Sequence, residues 1–486
     1  MGNEDTLYPP SQNSGDASLA GNGIQMMKNS FVRYKLLIAC LLLTAGVGAL
    51  LYASRHRSAG APKAVTAVAD PLSAIPKPTG ISVTDQLIAK WMEKARTDAN
   101  SAPAWVNLGD ALMQKVRETS DFAYYSHAEA AYHQALVCNP NNTDAMAGLA
   151  WVYGGRHSFD KSVEWANRAL ALDGANNIAY GIIGDAEVEL GDYDAAFDHY
   201  QKMLNLRPDL ASYSRGAYLL YVTGDLRKGR WLMGKAIEAG GPFAENTAWC
   251  RSRLALMLFS DGNMLAAQQV LNTGLKAAPN NMHLLAMMGR VKTAMHDYPA
   301  AIEFYRKANA VAPDHNTLAA LADLYRLTGN NAEAEKQEEA LEELHTRNQV
   351  NGIHDHMQIA QFYSDHARNP VEAVRLAEEH KNSKNVFEAD ILAWCYYQNG
   401  QYNEAKEAIT RALSRRTPEA KFLYHAGMIY AKLGEVGTAR TYLYQALSLN
   451  PQFSPLDAPR AVAAVKELGE THAVARNNRA AKEAVQ

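Results

Sequence analysis

A unit of about 34 residues returns ten times between residues 105 and 451, and no other feature of the chain restricts its fold so tightly. The clearest copy runs from Gly191 through Tyr200 and Met203 to Pro208. A small residue, an aromatic four later, a second small residue three further on and a Pro five after that recur in other copies. Ala128, Tyr132, Ala135 and Pro140 keep this spacing, as do Ala301, Tyr305, Ala308 and Pro313. In Ala439, Leu443, Ala446 and Pro451 a leucine replaces the ring. One such unit cannot bury its apolar face alone, so the period implies a solenoid in which neighbours complete each other's core.

Each unit reads as two amphipathic helices. In the third copy Tyr180, Ile183, Gly184 and Glu187 fall on a first helix, with apolar positions at helical spacing. Gly191 and Asp192 form the turn, because glycine tolerates the left-handed conformation that ends a helix. Ala195, Ala196, Tyr200 and Met203 line the second helix, which Pro208 stops.

This pattern resembles the tetratricopeptide repeat family over about residues 81–455. The family's W-x2-L-G opening is matched by Trp105, Leu108 and Gly109. A Leu-Ala-x2-Tyr form appears as Leu149, Ala150 and Tyr153, as Leu321, Ala322 and Tyr325, and as Leu392, Ala393 and Tyr396. The resemblance implies an all-α, right-handed α-solenoid of about ten helix-turn-helix repeats over 102–455. Extra residues near Lys115–Phe122 are expected to lengthen the turn of the first unit, and others near Gly240–Glu245 to separate the fifth. The eighth unit, around Ile353–His380, is degenerate, with Asn369-Pro370 at its turn. A capping helix is expected over 81–100 and a second over 456–469, with Asp457 as its N-cap and Pro459 in its first turn.

Ahead of the array, residues 1–30 are rich in Gly, Ser, Asn and Asp and read as a disordered tail. Leu36–Ala53 is an uncharged run, near the lower length limit for a spanning helix, with Tyr34 and Tyr52 at its ends. It predicts one uncleaved transmembrane helix over 33–55, in preference to a cleaved signal peptide, a lipid-modified Cys40 or N-terminal acylation. Basic residues nearly balance across it, and a short N-terminal tail favours an extracytoplasmic repeat domain. The small-residue pairs Thr44/Gly48 and Ala45/Ala49 allow a weak homodimer through this helix. Residues 58–80 form an Ala/Pro-rich tether and 470–486 a polar tail.

A net charge of −3 provides no basic field for nucleic acid. The four cysteines show no metal-binding spacing, so free thiols are expected. His354, His356, His366 and His380 read as surface histidines, because His354 and His356 point to different sides of a helix. The stretch Glu333–Glu343 reads as a solvated helix face. No protease, hydrolase, P-loop or dinucleotide motif is present, so catalytic residues, metal ligands and cofactors are all expected to be none.

Ligands of the resembled family lie along the inner face of the superhelix, on first-helix side chains. Transferred by repeat position, those places hold the aromatics Trp151, Tyr218, Tyr221, Trp249, Phe259, Trp394 and Tyr397. They also hold Asp185, Asp323 and Asp390, with Arg290 and Arg326. Aromatic and Arg side chains are frequent interface anchors, and such a lining suits a protein or peptide ligand. Inward carboxylates such as Asp185 and Asp323 stand where family members that grip a C-terminal carboxylate carry Lys and Asn, so that mode is excluded. The expectation is a membrane-tethered scaffold that binds partner proteins in its concave groove. The alternative is a repeat protein that assembles with copies of itself.

Overall fold

The computed structural model describes residues 72–469, apart from 79, 81, 242, 351 and 354. Among the described residues there are helices and turns but no strand, and ten consecutive antiparallel helix pairs run from Ala102 to Leu449. The pairs are numbered here as units 1 to 10. Val83–Thr97 precedes them, capped by the Ser82 hydroxyl, and a helix over 457–469 follows them.

Local chemistry explains the helix starts. Asn142, Asn176 and Asn281 precede the first helices of units 2, 3 and 6, and each side chain accepts a hydrogen bond from the backbone N–H three residues on. Such caps satisfy donors that the helix leaves unpaired. Asp225, Asn263 and Asp297 do the same for second helices. Within unit 3, Asn177–Leu190 ends on Gly191, whose φ is +78°, before Tyr193–Leu206 begins.

Packing between neighbours follows the small-and-ring rhythm of the sequence. Tyr132 is fully buried, and a Cβ placed on Gly109 or on Gly148 would come within 2.5 and 2.3 Å of its ring. Gly184 faces Tyr200 and Gly289 faces Tyr305 in the same way. The ring on a second helix thus sits where the first helices can approach it only through a hydrogen atom.

Periodicity does not foretell the next level of packing. The turn ends of units 3, 4 and 5 dock on the starts of units 9, 10 and the C-terminal cap. Tyr193 Oη accepts the Val386 N–H at 2.9 Å, and Asn385 Nδ2 donates to the Glu189 carbonyl at 3.0 Å. Thr417 Oγ1 donates to the Val222 carbonyl at 2.5 Å, and Asn450 Nδ2 to the Phe259 carbonyl at 2.9 Å. Arg117 of unit 1 makes a two-pronged pair with Glu245 of unit 5. One turn of the superhelix therefore rests on the next, and one apolar core runs through units 3–5 and 7–10.

Several expectations are corrected. Among the described residues no helix is long and apolar enough to cross a membrane, which overturns the single-pass membrane location with an extracytoplasmic repeat domain. The predicted span and most of the tail and tether lie outside the described residues. The extra residues of unit 1 lengthen its first helix, Ala102–Thr119, rather than its turn. In unit 5 they extend the first helix to Ala244–Ser260. Unit 8 is short, with His356–Asp365 and Pro370–Glu378, and follows the 20-residue helix Asn331–Val350. At the C-terminal helix the cap falls to Ser454, whose Oγ accepts the Asp457 N–H at 3.0 Å. Cys138, Cys250 and Cys395 are free thiols, and burial pushes the last two up to about 12.

Candidate functional site

The inner face of units 5–8, with unit 10 and the cap along its other side, borders a partly open cavity of about 610 Å³. A second, of about 560 Å³, shares Asp323, Asp365 and His366 with it and continues along units 7–10. Phe259, Arg290 and Asp323 line the first, while Asp323, Arg326, Trp394 and Tyr397 line the second. Six of the twelve residues transferred by repeat position thus meet around one connected chamber. Trp151, Asp185, Tyr218, Tyr221, Trp249 and Asp390 do not line either cavity.

Most of the charges are already paired. Asp185 receives the Tyr200 hydroxyl at 2.8 Å and is gripped by the Arg215 guanidinium, also at 2.8 Å. Asp390 holds His425 Nδ1 at 2.9 Å in the core. Tyr221 is fully buried and joins the superhelical turns through Ser260 and Glu419, so its ring faces no groove. Trp394 stacks on Tyr397 at 4.5 Å and on His425 at 4.1 Å, so its ring is already engaged by two neighbours.

Glu338 corrects the picture of a uniformly solvated acidic face, because it is buried and binds Arg326 and Arg368 at once. His366 likewise departs from the surface reading: it lies 2.8 Å from Asp323, with little of either side chain exposed. Burial would push the imidazole down, but the hydrogen bond and charge of Asp323 and the Phe362 carbonyl raise it above its ordinary value. His356 and His380 pair with Glu379 and Glu388, and His354 lies outside the described residues. Lys421 lies 2.6 Å from Asp365 deep in the chamber, and this pair completes its neutralised charges.

Two cations stand apart. Neither Arg253 nor Arg290 has a carboxylate within ion-pair distance among the described residues, although both line the larger cavity. The Arg253 guanidinium lies over Trp249 at 5.1 Å and Tyr218 at 5.8 Å, and its buried Nε lacks a hydrogen-bond partner. Arg290 lies over Phe259 at 4.3 Å. Three rings transferred by position thus support guanidinium planes, the geometry of cation–π contact. Burial, with the nearby charges of Arg253 and Arg117, pushes His283 down to about 3 and keeps it neutral.

Sequence reasoning misses Arg253, His283, Asp365 and Lys421. Inward positions follow from the start of each motif, and the extended first helix of unit 5 shifts that count. A spacing of four between Trp249 and Arg253 is the available signal, since it places both on one helical face.

The family model described as Tetratricopeptide repeat matches residues 148–211 and 392–455. The formate-dependent nitrite reductase complex bifunctional subunit NrfFG of Haemophilus influenzae is 27% identical over 121 residues, which is 25% of this chain and 30% of that protein. The chain therefore spans under a third of that relative. Among solved structures, TTC0263, a thermophilic tetratricopeptide repeat protein of Thermus thermophilus, is 18% identical, with a TM-score of 0.34 over 42% of this chain and all of its own. YrrB, described as a tetratricopeptide repeat protein with an unusual peptide-binding site, is 19% identical, with a TM-score of 0.28 over 39% of this chain and 96% of its own. With helix pairs and the family match on the same residues, and with Gly184 packed on Tyr200 and Gly427 on Leu443, segments 148–211 and 392–455 are tetratricopeptide repeats.

Proposed function

We propose that the array is a binding scaffold without chemistry of its own, and that the chamber of units 5–10 takes a protein segment bearing an acidic side chain. The observation that carries this reading is the pair Arg253 and Arg290, two inner-face guanidiniums with no carboxylate within ion-pair distance among the described residues, the charges of Glu189 and Glu419 acting on them only from further off. A guanidinium offers a planar fork of donors matched to a carboxylate, and such charge-assisted pairs are the strong ones. The rings beneath them fix the forks in place, and His283, held neutral, offers a hydrogen bond without adding charge. Asp323, Arg326, Trp394 and Tyr397 extend the lining beyond that anchor, with their own charges largely balanced. Assembly with copies of the same chain has less support, because the turn ends that would offer a lateral edge are docked within the molecule.

The test is selection of a displayed random peptide library on the full chain, repeated on Arg253→Gln and Arg290→Gln. Peptides enriched in Asp or Glu should bind the parent, and each variant should weaken them about tenfold or more, the scale for a lost charge-assisted bond of about 1.5–3 kcal/mol. Enrichment without acidic residues, or equal binding by the folded variants, would remove the reading.

A further inference from the structure

At the edge of the chamber, which His315 also lines, the junction of units 7 and 8 brings together three ligand-type side chains from three segments. His315 opens the helix His315–Leu327, His345 lies on Asn331–Val350, and Asp355 directly precedes His356–Asp365. One donor atom from each lies within 4.8 Å of the others. His345 Nδ1 is 2.5 Å from Asp355 Oδ1, and His315 Nε2 is 3.2 Å from Asp355 Oδ2. His315 is 8% and Asp355 4% exposed.

The contact of His315 is unusual. Its Nε2 is near the carboxylate but not aligned as a hydrogen bond to it, and this buried nitrogen has no hydrogen-bond partner. Two ligands on one tetrahedral ion, with bonds of about 2.0–2.1 Å, sit roughly 3.3 Å apart and point at the ion, not at each other. Supporting groups surround the trio. Asn348 Nδ2 donates to Asp355 Oδ2 at 2.8 Å, and the Gln349 amide lies 3.0 Å from the far nitrogen of His345. Outer partners of this kind orient metal ligands. Burial pushes the Asp355 carboxyl up, but the adjacent His315, Asn348 and His345 outweigh it and hold the group below its ordinary value, ionised as a ligand must be.

We propose that His315, His345 and Asp355 form a site for a divalent first-row transition metal, of which zinc is the type. Two imidazoles with one carboxylate suit such ions better than calcium or magnesium, which prefer oxygen shells. An ion on His345 Nδ1 takes the place of the hydrogen there, which passes to the far ring nitrogen or to water, so that two neutral imidazoles and a carboxylate surround the ion. The ion then joins the longest second helix of the array to its shortest unit. Residues 30 and 10 positions apart form no linear motif, which is why spacing alone, applied to the cysteines and to the histidines of the eighth unit, leads to the expectation of no metal.

The test titrates zinc into the metal-stripped full chain by calorimetry and follows its melting temperature. A single equivalent should bind and raise the melting temperature. His315→Ala and His345→Ala should each lose about 100-fold or more in affinity, and Asn348→Ala about 10–100-fold, the range for an outer partner. Cys138→Ser and His356→Ala should bind as the parent does. His345→Gln, at the most exposed of the three positions, decides the matter should His315→Ala fail to fold. Unchanged binding by His345→Gln, loss of the equivalent in Cys138→Ser or His356→Ala, or no binding by the parent would each overturn the proposal.

Discussion

Tyr132 shows how single residues write this fold, because a ring can sit that deep only where Gly109 and Gly148 offer no side chain. The same rule makes Gly184 and Tyr200 legible from spacing alone. Charges are harder to read. Asp323 stands at an inward position as transferred, yet its partner His366 comes from another unit, 43 residues away, and linear spacing says nothing of that. The pair has a pH signature. His366 is raised above its ordinary value of about 6.5, so the stability it contributes is fully present below that pH and is lost as pH rises through its folded value. Melting curves should therefore show the parent ahead of His366→Gln at about pH 6, with the gap closing as pH rises above the ordinary imidazole value. A gap constant across that range would mean that the imidazole acts by packing alone.

At the scale of elements, the turns divide into two kinds that look identical in sequence. Gly191 and Gly400 both end first helices with φ near +79°. Around Gly400 a Cβ would meet nothing within 4 Å, whereas at Gly191 it would come within 2.2 Å of the Lys384 backbone. Gly400→Ala should cost only the left-handed penalty of about 1–2 kcal/mol. Gly191→Ala adds an overpacking cost of about 1–3 kcal/mol and should reach about 2–5 kcal/mol in denaturant unfolding. Equal costs at the two sites would argue against docking between superhelical turns. Helix pairs, caps and turn glycines were readable from periodicity and end chemistry, because these are contacts between neighbours. Which turn ends carry a second surface was not, since the contact of Tyr193 with Val386 spans 193 positions.

For the whole molecule, that docking alters the thermodynamics expected of a repeat array. A solenoid held only by nearest neighbours unfolds piecewise, its ends fraying first. Here units 3–5 are tied to units 9, 10 and the cap by side-chain-to-backbone bonds, and they share a core with units 7–10. Amide exchange should place these separated segments in one protection class, above unit 2, which has no residue in that core. Gly191→Ala should lower protection at Val386–Gln398 as well as at its own turn. Independent protection of the two groups would mean that the array still behaves one-dimensionally. The chamber is a product of the same closure, since units 5–8 are roofed by residues from unit 10 and beyond.

The distance along the chain between Tyr193 and Val386 also sets a clock for synthesis. A ribosome adding about 5–20 residues each second leaves the Gly191 turn without its partner for about 10–40 seconds. Throughout that interval the apolar edges of units 3–5 are open to solvent and to chaperones. Local helix pairs form far sooner, within microseconds to milliseconds. The nascent protein therefore exists first as an open ribbon, and its chamber appears only when the last unit leaves the exit tunnel.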